Sequence, residues 1–184
     1  MRNILFVLSG PSGVGKGTVA KILAEKDEIA LSVSCTTRSP RTGEKDGREY
    51  FFISKQEFSE LIEKGGLLEY SEHFGNFYGT PKDFVLKNLE NKDVLLEIDV
   101  NGGLKVKENF PEAVLIMLAP PSVDEVYNRL VKRNTESLEK IEQRMKRIGY
   151  ELDKSKFYDY VVVNDKIEDA VKEIEQILNI EKNK

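Results

Sequence analysis

The chain has 184 residues, 40% hydrophobic and 33% charged, with a formal net charge of −4. That length holds one α/β domain with a buried sheet and is too short for two ordinary domains, so any second unit must be an insertion. Charges of both signs are interspersed, which argues against a nucleic-acid-coating surface, and no apolar run approaches the roughly 20 residues of a membrane span.

The first apolar run, Ile4-Leu5-Phe6-Val7-Leu8, predicts a buried parallel strand. Directly behind it comes Gly10-Pro11-Ser12-Gly13-Val14-Gly15-Lys16-Gly17-Thr18, and the spacing Val19-Ala20-x-Ile22-Leu23 predicts a helix opening at about Gly17. A strand ending in a glycine-rich turn at a helix start points several backbone N–H groups into one hollow, at the positive end of the helix dipole. Phosphate oxygens fit that hollow, and Lys16 can reach the β- and γ-phosphates as a point charge. The spacing G-x-x-x-x-G-K matches a nucleotide-binding loop, whereas Gly17 stands where the strict pattern has a hydroxyl. The hydroxyl comes one position later, at Thr18, which argues against direct Mg²⁺ ligation there. The bland alternative, a glycine-rich turn with a surface lysine, is disfavoured by the strand before it and the helix after it.

From about Ser32 to Tyr78 the pattern changes. Loop-rich Thr36–Arg48, a strand at Tyr50–Ile53, a short helix over Gln56–Lys64 and mixed strands around Leu67–Phe77 read as a smaller insertion over the strand ends. Cys35, the single cysteine, excludes an intrachain disulfide and suits a reducing compartment, so a soluble cytoplasmic protein is expected. It reads as a small filler and not as a nucleophile, because the only histidine, His73, is remote in sequence. Arg38 and Arg41 sit three residues apart on a segment that Pro40 keeps out of a regular helix. Guanidiniums grip phosphate bidentately, but on these two residues alone a solvated basic loop is an equal reading. Glu69 by itself reads more readily as an exposed strand residue, and Tyr50 and Tyr78 as packing residues.

Further on, Val94–Ile98, Val114–Leu118 and Tyr160–Val163 read as buried strands, and Val123-x-x-Val126-x-x-x-Leu130 as a helix. Glu97 and Asp99 are expected on the same side of a strand end, where acids can hold Mg²⁺ waters or contact a substrate. Arg129 and Arg133 share one helix face, Arg144 and Arg147 another, and the polar turn Asn134-Thr135-Glu136-Ser137 between them is the expected hinge. As bland exposed helix charges these arginines need no function. The tail from Glu181 to Lys184 is expected to fray. The alternation predicts a doubly wound parallel sheet, with a core over 1–31, 81–128 and 148–184, an insertion over 32–80 and a lid over 129–147.

Two of these segments carry a resemblance. Thr36 through Glu44 matches T-T-R-x-P-R-x-G-E, and Gly10 through Lys16 matches G-P-S-G-x-G-K; both are hallmarks of guanylate kinases, which the chain resembles from about Ile4 to Leu178. The resemblance implies an α/β fold of the P-loop nucleoside monophosphate kinase kind, with a small mixed α/β GMP-binding insertion and a helical lid. It implies ATP at Gly10, Pro11, Ser12, Gly13, Val14, Gly15, Lys16, Gly17 and Thr18, with Asn164 near the adenine; capping the last helix is an equal reading of Asn164. It places the GMP phosphate on Arg38, Arg41, Tyr50 and Tyr78, and the base against Ser34, Glu69 and Thr80, with Asp99 also on the GMP side. Lys16, Arg38, Arg129, Arg133 and Arg144 are the implied catalytic set, and Mg²⁺ the implied cofactor, organised by Asp99 and Glu97 through water. The chain departs from the family pattern at Glu97 (usually Asp), at Asn101-Gly102-Gly103 (usually Gln-Gly-Ala) and at Asn134 (usually Gly), and Arg147 stands outside it.

The implied activity is ATP-dependent phosphorylation of GMP to GDP by in-line phosphoryl transfer. The partners are ATP and GMP, with neither nucleic acid nor membrane expected, and the oligomeric state is not readable. Guanine offers N1–H and an exocyclic amine side by side, so one carboxylate such as Glu69 can accept from both, while adenine presents an unprotonated N1 there. Three rivals stand beside this reading. A GTPase is suggested by Asp99-Val100-Asn101-Gly102, which fits D-x-x-G, but Asn91-Lys92-Asp93-Val94 lacks the final acid of N-K-x-D. Another nucleoside monophosphate kinase is the nearer alternative. The third is a non-catalytic guanylate-kinase-like interaction module, against which Lys16, Arg38, Arg41, Glu69 and Asp99 are all retained.

Overall fold

A parallel strand buried on both faces needs apolar side chains at every position, and Leu5-Phe6-Val7-Leu8 supplies them, each at most 1% exposed. The computed structural model describes residues 2–73, 75–133 and 138–184. In it β1 (Leu5–Ser9) lies at the centre of a five-stranded parallel sheet with β2 (Ile29–Leu31), β7 (Asp93–Glu97), β8 (Val114–Ala119) and β9 (Tyr160–Val163). The strand order is β2-β7-β1-β8-β9. Leu5 pairs with Val94 and Leu8 with Glu97 on one side, and Phe6 pairs with Val114 on the other.

The two-residue period sorts the core into two layers. Phe6 and Leu8 join Val19 and Leu23 of α1 (Lys16–Ala24) and Ile174 and Leu178 of α7 (Ile167–Lys182), while Leu5 and Val7 join Val85 of α3 (Lys82–Leu89) and Val100 and Val106 of α4 (Val100–Asn109). Each fully buried Leu or Phe contributes about 1.5–3 kcal/mol. A separate small cluster, Val126, Ile141 and Ile148, joins α5 (Val123–Arg133) to α6 (Leu138–Asp153).

Four strands fall between Cys35 and Pro81 and form a second sheet, ordered β4-β3-β6-β5: β3 (Cys35–Thr36), β4 (Phe51–Phe52), β5 (Leu67–His73) and β6 (Asn76–Pro81). The helix expected over Gln56–Lys64 is α2 (Lys55–Glu63), and the signal for its start was present: Ser54 accepts from Glu57 N and Glu57 reaches back to Ser54 N, a capping box. The strand expected over Tyr50–Ile53 shortens to Phe51–Phe52. β2 was not expected, because Ile29-Ala30-Leu31 follows Asp27-Glu28 and is too short to show a period. The hinge expected at Asn134–Ser137 lies outside the described residues.

Two expectations are corrected. β7 stops at Glu97, and Asp99 is the N-cap of α4, its side chain accepting from Gly102 N at 2.8 Å, so Glu97 and Asp99 do not share a strand face. The tail does not fray through Lys182. Lys182 is the last residue of α7, and its Nζ lies 2.8 Å from Oδ2 of Asp93, which is 1% exposed and whose Oδ1 also accepts from Ile4 N at 2.9 Å. A buried carboxylate that keeps its cation is tolerable; one that loses it is not. Lys182→Ala should therefore destabilise the protein by about 3 kcal/mol in urea unfolding, and a change within about 0.5 kcal/mol would show that the pair is not holding α7 to the sheet.

Candidate active site

The loop after β1 wraps around its own lysine. Lys16 Nζ donates to Gly10 O at 2.6 Å and Pro11 O at 3.1 Å, and its helix begins from Gly15 in the left-handed conformation, φ 104°. A Cβ at Gly15 would also come 2.7 Å from Asn164 Nδ2, so glycine serves both the turn and the close approach. Asn164 itself is 4% exposed, and its Nδ2 donates to Val14 O at 2.7 Å. It does not cap the last helix, since α7 is capped at Lys166 without a side-chain bond. Asn164 instead fixes the loop, and its buried Oδ1 has no hydrogen-bond partner among the described residues.

Lys16 opens into a cleft of 410 Å³ that runs between the two sheets. On the loop side it is lined by Gly10, Ser12, Lys16, Glu97 and Asp99, and on the far side by Ser34, Arg41, Tyr50, Glu69, Ser71 and Tyr78. Burial pulls the Lys16 ammonium below its ordinary value, and Glu97 leads the carboxylates that act the other way. Burial likewise raises the Glu97 carboxyl, with Lys16 and Lys21 opposing. Glu97 also sits beside the first turn of α1, since a Cβ at Gly17 would meet its Oε2 at 3.6 Å.

On the far side, Arg38 is held by its own loop. Its guanidinium donates to Ser39 O at 2.7 Å and Glu44 Oε1 at 3.0 Å, and it stacks over Tyr50 and Phe52 at 5.6 and 5.8 Å. Glu44 Oε2 in turn accepts from Arg41 N at 2.7 Å, so one carboxylate shapes the whole arginine loop. Tyr50 and Tyr78 meet edge to face at 5.9 Å. Glu69 is 6% exposed, contrary to the exposed-strand reading of it in isolation, and Thr80 Oγ1 donates to its Oε1 at 2.7 Å. Burial drives the Glu69 carboxyl up to about 7, with the Thr80 hydrogen bond opposing and Asp99 adding to the rise. Cys35 is buried, its Sγ 3.3 Å from Gly79 O, and burial pushes the thiol up to about 11, as suits a filler.

Arg129, Arg133 and Arg144 belong to α5 and α6, and their side chains lie outside the described residues. Arg147, by contrast, lines the cleft together with Glu151, a residue for which sequence reasoning had no signal. The only trace was that Arg147 and Glu151 are four apart on a helix, a spacing shared with ordinary surface pairs. An exposed pair of that kind contributes about 0.3–0.5 kcal/mol. Glu151 is 5% exposed with its Oε2 lacking a hydrogen-bond partner among the described residues, and such an orphaned acceptor costs about 1–3 kcal/mol, so the pair is a poor stabilising device.

The guanylate kinase family model matches residues 2–181. The chain belongs to the guanylate kinase family. It is 53% identical over 182 residues to the guanylate kinase of Oceanobacillus iheyensis, covering 98% of this chain and 88% of the relative, and 52% identical over 183 residues to that of Caldanaerobacter subterraneus subsp. tengcongensis, covering 98% and 89%. The crystal structure of guanylate kinase from Anaplasma phagocytophilum superposes with a TM-score of 0.81 at 36% identity, covering 100% of this chain and 88% of that one. At Gly103 a Cβ would lie 2.5 Å from the Tyr158 hydroxyl and 2.8 Å from Ser9 Oγ, so the packing there favours glycine. That hydroxyl donates to Val100 O at 3.0 Å and so ties the start of α4 to the turn that leads into β9.

The raised Glu69 carboxyl carries a stability consequence. The folded state holds its proton more tightly than a carboxyl of ordinary pKa 4.5, so the protonated form's advantage is complete below pH 4.5 and is lost as pH rises through about 7. Glu69→Gln should be more stable than the parent by on the order of 3 kcal/mol at pH 8, and the gap should shrink towards zero as pH falls to 4.5. Urea unfolding at the two pH values checks this; a gap that does not grow with pH would contradict it.

Proposed function

We propose that this chain transfers the γ-phosphoryl group of ATP to the phosphate of GMP, giving ADP and GDP. The observation that carries this reading is a single cleft with an anion-receiving group at each end, Lys16 in its glycine loop and Arg41 in the arginine loop. Gly10, Pro11, Ser12, Gly13, Val14, Gly15, Lys16, Gly17 and Thr18 cradle the donor triphosphate, and Asn164 acts on it by fixing the carbonyl of Val14. Arg38, Arg41, Tyr50 and Tyr78 take the acceptor phosphate, and Ser34 and Glu69 face its base, with Thr80 acting on it through its hydrogen bond to Glu69 and Asp99 alongside. The family membership and the relatives named guanylate kinase support this assignment. We place the reaction in the cytoplasm, which the reduced, buried Cys35 suits; no described helix is long and apolar enough to cross a membrane.

Chemically the protein has little covalent work to do. A phosphate monoester with second pKa about 6 is largely dianionic at neutral pH, so the acceptor is already a nucleophile. Its oxygen forms a bond to the γ-phosphorus as the β,γ-bridging bond breaks, and the electron pair leaves on ADP. Lys16 and the arginines align the two phosphates and offset their mutual repulsion, and Arg129, Arg133 and Arg144 are assigned to the transferring group from the lid.

Mg²⁺ fits the donor end on the chemistry of the donor set. Glu97 stands at the open end of β7 beside the first turn of α1, and among the described residues no three His, Cys, Asp or Glu side chains converge to cage a metal. That suits a cation held mainly by phosphates and water. Glu97 would hold its waters, with Asp99 a lesser partner because its Oδ1 caps α4. When bound, Mg²⁺ supplies charge neutralisation on the donor phosphates.

Steady-state assays with ATP, Mg²⁺ and a panel of GMP, AMP, UMP and CMP test the reading. GMP should be preferred by on the order of 10⁴-fold in kcat/KM, since a purine lacking the N1–H leaves Glu69 unmatched; comparable turnover of AMP would defeat it. Lys16→Ala should lower kcat by about 100-fold or more with any acceptor. Because Glu69 must be ionised to accept from both guanine donors and its carboxyl sits at about 7, KM for GMP should rise as pH falls below 7. In Glu69→Gln the part of that dependence centred near 7 should vanish, leaving only the titration of the GMP phosphate at about 6.

A further inference from the structure

Arg147 lies outside the residues that carry the resemblance, yet the packing of α6 on α5 through Val126, Ile141 and Ile148 brings it to the cleft wall. It reaches the site from the helix that also carries Glu151, one turn further on. Arg147 Nε donates to Glu151 Oε1 at 2.9 Å, with the arginine side chain 47% exposed and the glutamate side chain 6% exposed. The exposed end is therefore the cation, and the buried end is the carboxylate. A solvated helix pair has both ends in water. Here the carboxylate is sunk in the wall, its second oxygen is without a hydrogen-bond partner among the described residues, and the guanidinium it grips lines the cavity. The pair also acts on the donor end: Glu151 and Arg147 are both among the charges felt by the Lys16 ammonium.

We propose that Arg147 is a further phosphate-binding residue of this chain, taking the terminal phosphate of the donor nucleotide, and that Glu151 is the positioning residue that aims it. A guanidinium held by one edge on a fixed carboxylate keeps its other N–H groups in a fork suited to two phosphate oxygens. Holding it in advance removes part of the ordering cost of binding. The inference rests on the donor-site half of the function proposed above and needs no acceptor.

Calorimetric titration with ATP, and separately with GMP, tests it on the full chain alongside kcat and KM. Arg147→Met should weaken ATP binding by about tenfold or more while leaving GMP affinity within about twofold, and Arg147→Lys should recover only part of the loss. Glu151→Gln, which keeps an acceptor for Nε, should lose less ATP affinity than Glu151→Ala. In the Arg147→Met background, Glu151→Ala should add nothing, because its role passes through the arginine. Unchanged ATP affinity and kcat/KM in Arg147→Met would overturn the proposal, as would a further loss from Glu151→Ala in that background. If Arg147→Met fails to fold because Glu151 is left buried without its cation, the double variant removes both charges, and wild-type ATP affinity there also overturns it. Arginine-dependent ATP binding without GMP turnover would leave this proposal standing and defeat the guanylate kinase reading instead.

Discussion

In the parallel register of the main sheet, Leu8 of β1 stands opposite Glu97 of β7 and Ile116 of β8. That alignment is what the site hangs on, because it makes the glycine loop after β1 and the acid-bearing turn after β7 leave the sheet at the same edge. The register is pinned by packing. Phe6 and Leu8 belong to one apolar layer and Leu5 and Val7 to the other, so a slip of one residue would move every side chain to the wrong face. Core and site are thus specified by the same contacts.

The helix α4 extends this control to the second sheet. Its first turn is capped by Asp99 and tied by Tyr158 to the turn before β9, while Lys105 and Asn109 along its length donate to Tyr70 O and Leu68 O of β5 at 2.7 and 2.8 Å. Glu69 lies between those two residues. The carboxylate assigned to the base is therefore indexed to the same helix that carries Asp99, and through it to the strand that ends in the phosphate loop. The cost is a buried carboxyl with an elevated proton affinity, which the proposed pairing with two N–H donors would offset.

A common electrostatic device recurs around the cleft. Lys16 is folded onto Gly10 O and Pro11 O, Arg38 onto Glu44 and Ser39 O, and Arg147 onto Glu151. Each cation has a local acceptor that lies within the same loop or helix. Such contacts hold the charges in place without consuming much free energy, since an incoming phosphate oxygen can share or replace them as a stronger, fully ionic partner. A cluster of cations with no acceptors would repel itself and splay the cleft open.

What was legible from residue order alone was local. The apolar runs at Ile4–Leu8, Val94–Ile98, Val114–Leu118 and Tyr160–Val163, the glycine spacing from Gly10 to Lys16 and the Thr36–Glu44 signature each depend on neighbours in the chain, and from them the strands, the phosphate loop and the family resemblance could be read. Tertiary structure decided the rest, because those properties depend on residues distant in sequence. It turned Asp99 from a strand residue into a helix cap, and moved Asn164 from the last helix to the carbonyl of Val14, 150 positions away. Glu69 became buried only because Thr80 and α4 close over it. Arg147 and Glu151 look like any surface pair until α5 and α6 pack together, and only that packing places one charge in the wall and the other in the cavity.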